Sequence, residues 1–226
     1  MSNKHAKTDL EKEFELERLI LFSDAVFAIA ITLLVIDIKF PDIPKEQTTD
    51  FFKLFQPTIL QFMGFAISFF FIGRSWSNHL KLFRLLKKYD QGLINRNLFF
   101  LFFIVIFPFT ASGISGHVQD HFLLPVFLYV FNIAGVSVCH FLLCRYMFNQ
   151  KPGLCVEGEA AEKKYIFIAS KYQAVWFLAM SVAMTVVYFV IPGKDMYVID
   201  TLMVLSFFSI YIKIKTGKYK PRKPEP

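Results

Sequence analysis

Residues 18–41 read RLILFSDAVFAIAITLLVIDIKFP, an apolar run of membrane-spanning length that carries an aspartate, Asp24, inside it. A carboxylate held in hydrocarbon costs roughly 2.5–3.5 kcal/mol on insertion scales, so a chain keeps one there only where a partner or a water-filled path compensates it. The helix that holds Asp24 is therefore where function is expected.

The rest of the composition agrees with a membrane setting. Of 226 residues, 55% are hydrophobic, 29 are phenylalanine and only 19% are charged, which is too apolar for an ordinary soluble domain. The net charge of +7 is spread between apolar runs and forms no single stripe, so it fits membrane orientation and implies no nucleic-acid partner. The opening MSNKHAKTDLEKEFELER is acidic as well as basic and has no short apolar core before a small-residue cleavage site, so the N-terminus is expected to be retained. Cys139 and Cys144 fall in an apolar run and Cys155 in a polar loop, without C-x-x-C spacing; all three are read as reduced and structural.

Six apolar runs, near 19–38, 54–75, 95–115, 122–146, 168–191 and 196–213, each approach the length needed to cross a bilayer as a helix. Pro57 and Pro125 stand in the first turns of the second and fourth runs, Pro108 should kink the third, and Pro192-Gly193 turns the chain between the last two. Of the 25 lysines and arginines, only Lys39, Lys45, Lys53 and Lys194 lie on one side of the implied layout. That bias puts both termini in the cytoplasm. The expected architecture is all-α: a cytoplasmic N-terminal segment (1–17), one six-span transmembrane domain (18–213) and a basic cytoplasmic tail (214–226) attracted to anionic lipid. No second copy of the FSD run occurs, so any symmetric pore requires several chains.

Helical positions advance by about 100° per residue, so Ile29, Leu33 and Ile36 form one apolar stripe with Thr32 at its flank, and Asp24 sits about 140° from Ile29. Spacing alone leaves three readings open. The stripe is a packing seam with Asp24 as a buried polar anchor, or it is a hydrophobic pore constriction that Asp24 supports, or Asp24 relays protons. Elsewhere, His117, Asp120 and His121 have a spacing that could hold zinc but are too few for a firm site, His140 reads as a packed neutral histidine, and Glu157, Glu159 and Glu162 belong to a solvated loop. No G-x-S-x-G, H-E-x-x-H or P-loop occurs, so nothing points to an enzyme, and no cofactor or resident metal is implied.

The run from Arg18 through Phe22, Ser23 and Asp24 matches R-x-x-x-F-S-D, and AIAITLLVIDIKFP, Trp76-Ser-Asn-His79, Leu93-Ile-Asn95 and Pro108-Phe109 continue the likeness. Over roughly its first 110 residues the chain thus resembles the transmembrane protein 175 family, the potassium channels of endolysosomes and their bacterial homologues. The resemblance implies a homotetramer in a bacterial plasma membrane, conducting potassium through a pore lined by first helices and narrowed by bulky apolar side chains. It maps the constriction onto Ile29, Leu33 and Ile36, ion selectivity onto Thr32, and a hydrogen-bond network onto Arg18, Phe22, Ser23 and Asp24 with Trp76 and His79 as partners. The sequence agrees in lacking a T-V-G-Y-G filter. One tension stands: Arg18 lies only about 20° from Ile29 in helical phase, which would aim it at the pore mouth and away from a packing network. A proton-coupled transporter using Asp24 is the rival reading.

Overall fold

The computed structural model describes residues 2–36, 38–41, 51–117 and 123–190. Among them the elements run α1 (Ser2–Leu33), α2 (Phe51–Phe83), α3 (Gln91–His117), α4 (Leu124–Arg145) and α5 (Ala160–Val190). A π turn, Tyr146–Gln150, and a short 3-10 turn, Pro152–Leu154, follow α4. Extended pairing among the described residues is limited to one antiparallel bridge, Leu86 with Cys155.

Four segments among the described residues are long and apolar enough to cross a membrane: Leu54–Phe83, Gln91–Gly113, Leu124–Gln150 and Ala160–Val190. The first apolar run behaves differently from its expected span of 19–38. Its helix begins far earlier, taking in residues 2–17, and stops at Leu33, so its last turns of apolar sequence share the helix with Glu17, Arg18 and Asp24. The sixth run, the Pro192-Gly193 turn, the tail, Asp120 and His121 lie outside the described residues. The helix α2 also starts earlier than expected, at Phe51, which moves Pro57 beyond the first turn. Pro125 does occupy the first turn of α4, where its missing N–H leaves no bond unmade.

Pro108 lies inside α3, which continues beyond it to His117. Just beyond the proline, the Thr110 hydroxyl donates to the Phe107 carbonyl at 3.0 Å and accepts from Asn132 Nδ2 of α4 at 3.3 Å.

The packing runs in three tiers along the bundle. At the basic end, Leu16, Phe83, Leu93, Leu143, Met147 and Ile166 meet. In the middle, Phe27, Ala30 and Leu34 of α1 pack with Ile72, Phe100, Ile104, Phe107 and Val136. At the far end, Leu123 and Val130 contact Met180 and Met184. The closest pairings are α3 with α4 and α4 with α5, while α1 leans on α3 and α2. The tight α3–α4 approach depends on Gly135, because a Cβ there would run into the Phe103 ring.

The two basic connections are clasped together. Leu154 accepts from the backbone N–H groups of Lys87 (2.8 Å) and Lys88 (3.2 Å), and Val156 N–H donates to Leu85 at 2.9 Å. Arg84–Glu162 (2.9 Å) and Lys87–Glu157 (3.2 Å) add ion pairs over this clasp. Cys155 is buried beneath it; burial pushes its thiol pKa up despite nearby Lys163 and Lys87. The thiols of Cys139, Cys144 and Cys155 are all free, in keeping with the structural reading. Gly158 (φ 83°) and Glu159 (φ 51°) turn the chain into α5 through left-handed backbone that glycine adopts without strain.

Asp90 starts α3. Its Oδ1 accepts from the Leu93 N–H at 2.8 Å and its Oδ2 from the Tyr146 hydroxyl at 2.7 Å. Burial alone would raise its carboxyl pKa, but the Tyr146 and Leu93 bonds, with Lys151 and Arg96 nearby, outweigh it and hold the pKa below the ordinary carboxylate value. A depressed folded-state pKa contributes stability that is present above the unfolded value and is lost as pH falls through the folded one. The thermal midpoint in detergent should therefore fall on acidification from about pH 5 to about pH 3, and Asp90→Asn, which keeps the cap but not the charge, should flatten that part of the profile. An unchanged slope in Asp90→Asn would show that Asp90 does not carry it. On packing, Gly135→Ala should destabilise by about 1–3 kcal/mol, the usual range for overpacking. Gly153→Ala, whose Cβ would meet nothing within 4 Å, should leave the midpoint in place.

Candidate functional site

The buried face of α1 is set by Ser23, Phe27, Ala30 and Leu34, spaced i, i+4, i+7, i+11. Ser23 is the polar member of that row and is fully buried. Its hydroxyl donates to the Leu19 carbonyl at 2.9 Å and receives Asn97 Nδ2 of α3 at 2.9 Å. The other end of Asn97, Oδ1, lies 2.9 Å from His79 Nε2 of α2.

These three bonds fix one another's direction. Because the single Ser23 proton is committed to Leu19, Ser23 can only accept from Asn97, which orients the amide with Oδ1 toward His79. His79 must then carry its proton on Nε2, leaving Nδ1 as a bare acceptor, and Nδ1 indeed has no hydrogen-bond partner among the described residues. The imidazole is enclosed by rings: Phe83 stacks at 4.0 Å, Phe100 is parallel within 3° at 5.6 Å, and Phe27 is tilted at 5.6 Å. One neutral histidine thus joins α1, α2 and α3 through a single amide.

Asp24 is the next residue round the helix and is only partly buried. Its Oδ1 accepts from the Trp76 indole N–H at 2.8 Å, a second link from α1 to α2 one turn from His79. The structure therefore brings Ser23, Asp24, Trp76 and His79 together, in two adjoining clusters, and adds Asn97. Arg18 and Phe22 are exposed and lie outside both clusters.

On the flank of α1 turned away from the core, Ile29 is 59% exposed, Leu33 40% and Ile36 68%. Within the chain the stripe is consequently not a packing seam; that role belongs to the Ser23–Leu34 row. Ile36 stands in the turn after Leu33, with its N–H still bonded to the Leu33 carbonyl at 3.2 Å. Thr32 is exposed and its hydroxyl donates back to the Ile29 carbonyl at 2.9 Å.

Asn97 is the residue that reading the sequence missed. The weight fell on Asn95, two positions earlier, which is exposed and bonds only to Gln91 at 2.9 Å. The available signal was periodicity: Leu93, Asn97, Phe100, Leu101 and Ile104 keep helical spacing, so Asn97 sits on the buried face of α3 as its polar member. Among the described residues no group of three or more His, Cys, Asp or Glu could hold a metal.

The network geometry and the exposed stripe can be set beside known proteins. Residues 18–108 match the profile of the endosomal/lysosomal potassium channel TMEM175 family. Over that segment the chain is similar to the TMEM175 family. The matched segment carries the second half of α1, all of α2 and most of α3, hence every member of the two polar clusters. A protein named as a potassium channel in Chryseobacterium sp. is 29% identical over 127 residues, which cover 56% of this chain and 62% of that protein. One from Chamaesiphon minutus is 34% identical over 106 residues, 47% of this chain and 52% of its own length. The matched stretches thus take in little more than half of those relatives. The crystal structure of a lysosomal potassium-selective channel TMEM175 homolog from Chamaesiphon minutus superposes with a TM-score of 0.69, covering 89% of this chain and 98% of that one at 21% identity. That likeness establishes a shared helical fold.

The Ser23–Asn97–His79 bridge makes a sharp energetic prediction. Asn97→Leu keeps the volume but strands the His79 Nε2–H in a ring-lined pocket, a loss of about 1–3 kcal/mol. Adding His79→Phe removes the stranded donor, so the double variant should recover most of the thermal midpoint. A double variant as unstable as Asn97→Leu alone would mean that the bridge matters through something other than satisfied polarity.

Proposed function

We propose that the protein is a potassium-permeable cation channel, a homotetramer in a plasma membrane, with both termini cytoplasmic and six spans per chain. The pore is lined by α1 and narrowed by Ile29, Leu33 and Ile36. The observation that carries the proposal is the exposure of that stripe in a single chain whose opposite α1 face is locked inward by Ser23 and Asn97. Relatives named as potassium channels support the same reading.

Several copies of the stripe converging on one axis would oblige an ion to shed much of its water among methyl groups. Potassium holds its hydration shell less tightly than sodium, so a narrow apolar ring penalises it less, and Thr32 hydroxyls can replace part of the lost water. No cofactor is needed for this, and potassium is the permeating ion. The basic connections and tail face anionic lipid, and nucleic acid has no role. In this arrangement Ser23, Asp24, Trp76 and His79 fix the rotation of α1, while Arg18 and Phe22 share the stripe's flank.

A second reading rests on one observation: the partner of Asp24 is a neutral indole, not a cation. A carboxylate so placed could exchange protons in a coupled transporter.

Reversal potentials in planar bilayers under opposed potassium and sodium gradients test both. Ile29→Asn, which wets the ring and offers oxygen to either ion, should raise flux and reduce potassium preference. Thr32→Ala should reduce preference while keeping the barrier. Ile31, about 160° from Ile29 and packed toward the core, should change neither as Ile31→Asn even where stability falls. Unchanged flux and potential in Ile29→Asn would remove the stripe from the pore. A wild-type current that follows an imposed pH gradient instead of the potassium gradient would favour the transporter.

A further inference from the structure

A groove opens between α3 and α4 at the basic end of the bundle, with a volume of about 270 Å³, lined by Arg96, Phe99, Cys139, Leu142, Arg145 and Gln150. The two helices are antiparallel neighbours, so Arg96 to Phe99 and Arg145 to Leu142 each step inward from the same end by three residues. At 1.5 Å per residue that places the apolar pair about 4.5 Å deeper than the guanidinium-bearing positions, with Cys139 one turn deeper again.

Arg96 is held in place. Its Nη1 donates to the Gly92 carbonyl at 2.9 Å, and its Cζ lies 3.9 Å from the centre of the Tyr146 ring. Tyr146 is in turn fixed by its hydroxyl bond to Asp90 at 2.7 Å. One N–H of five is thereby used, leaving the guanidinium donors for an anion. Arg145 projects, exposed, from the last turn of α4, and no carboxylate lines the groove. Phe99 and Leu142 are exposed large apolar side chains on its inner wall.

Two cations over an apolar slot at the end of two membrane helices match one chemistry. We propose that this groove binds an anionic glycerophospholipid, with the phosphate between Arg96 and Arg145 and the first part of an acyl chain against Phe99 and Leu142. The order of depth, charge outside and apolar inside, is that of a phospholipid seated in its leaflet, and basic pockets between membrane helices select anionic headgroups on this basis. A free phosphate would use the two arginines but gain nothing from the inner wall.

The test uses the full-length protein, delipidated in detergent and titrated with phosphatidylglycerol or phosphatidylcholine of identical acyl chains, with bound lipid counted by native mass spectrometry. Phosphatidylglycerol should be retained at about five-fold lower concentration than phosphatidylcholine, and Arg145→Gln or Arg96→Gln should each remove about that margin. Arg84→Gln, which alters a guanidinium already paired with Glu162, should leave retention unchanged. Glycerophosphoglycerol, the headgroup without chains, should fail to displace the lipid at equal concentration. Equal retention of the two lipids, retention unaffected in Arg145→Gln, or equal loss in Arg84→Gln would each overturn the site. Displacement by glycerophosphoglycerol would overturn the lipid assignment. Arg145 is exposed, so its variant carries the test even where Arg96→Gln fails to fold.

Discussion

The bond on which the rest depends is the one from Asn97 to Ser23. In hydrocarbon, apolar surface gains little by leaving lipid for protein, so helix orientation is decided by packing fit and by polar groups that must find partners inside the bundle. Ser23 is fully buried and Asn97 reaches it from α3 at 2.9 Å. Turning α1 by even one residue position would carry Ser23 about 100° away and strand both the amide and the histidine behind it. The network thus fixes a rotation, and every other face of α1 is set by it.

That rotation divides the labour round the helix. Phe27, Ala30 and Leu34 share the Ser23 side and enter the central tier. Asp24, one step on, meets Trp76 at the edge of the bundle. Ile29 and Leu33 are left facing outward, on a helix that packs within the chain chiefly against α2 and α3. At the basic end a second constraint works the same way. Asp90, Tyr146 and Arg96 form one chain of contacts joining the start of α3 to the π turn after α4, and the bridge from Leu86 to Cys155 ties the two connections. Gly92 lies under this stack, where a Cβ would strike the Tyr146 hydroxyl.

Much of this was legible in the residues. The apolar runs announced the helices α2 to α5, and the resemblance around Asp24 selected Ser23, Trp76 and His79 from the sequence alone. The limits have physical causes. Hydropathy marks where lipid can lie and is blind to where a helix starts in water, so α1 reached back to Ser2 and α2 to Phe51. Spacing identified the stripe of Ile29, Leu33 and Ile36 but could not distinguish a buried face from an exposed one, because in a membrane both are apolar. Asn97 escaped for a related reason: a lone amide among phenylalanines and leucines looks like noise until the buried periodicity of its own helix is followed. The clasp of the two connections rests on backbone bonds between residues about seventy apart, which no local pattern encodes.

The helical phase of Arg18 gains its meaning from the same rotation. Counted from Ile29 it falls about 20° away, and a helix turned to bury Ser23 must leave both residues outside. The structure does place Arg18 exposed, with Phe22 exposed on the same flank and Ser23 and Asp24 turned to the partners on α2 and α3. The seven-residue run therefore divides by helix geometry into two faces that its continuity in sequence conceals. Ser23 and Asp24 hold α1 to its own chain, while Arg18 and Phe22 continue the line of Ile29 toward the basic end. Asp24 is satisfied by the neutral indole of Trp76, so its charge is not cancelled by that bond. A helix that keeps a carboxylate at its edge on those terms gains an orienting hydrogen bond without drawing the Arg18 guanidinium away from the exposed flank.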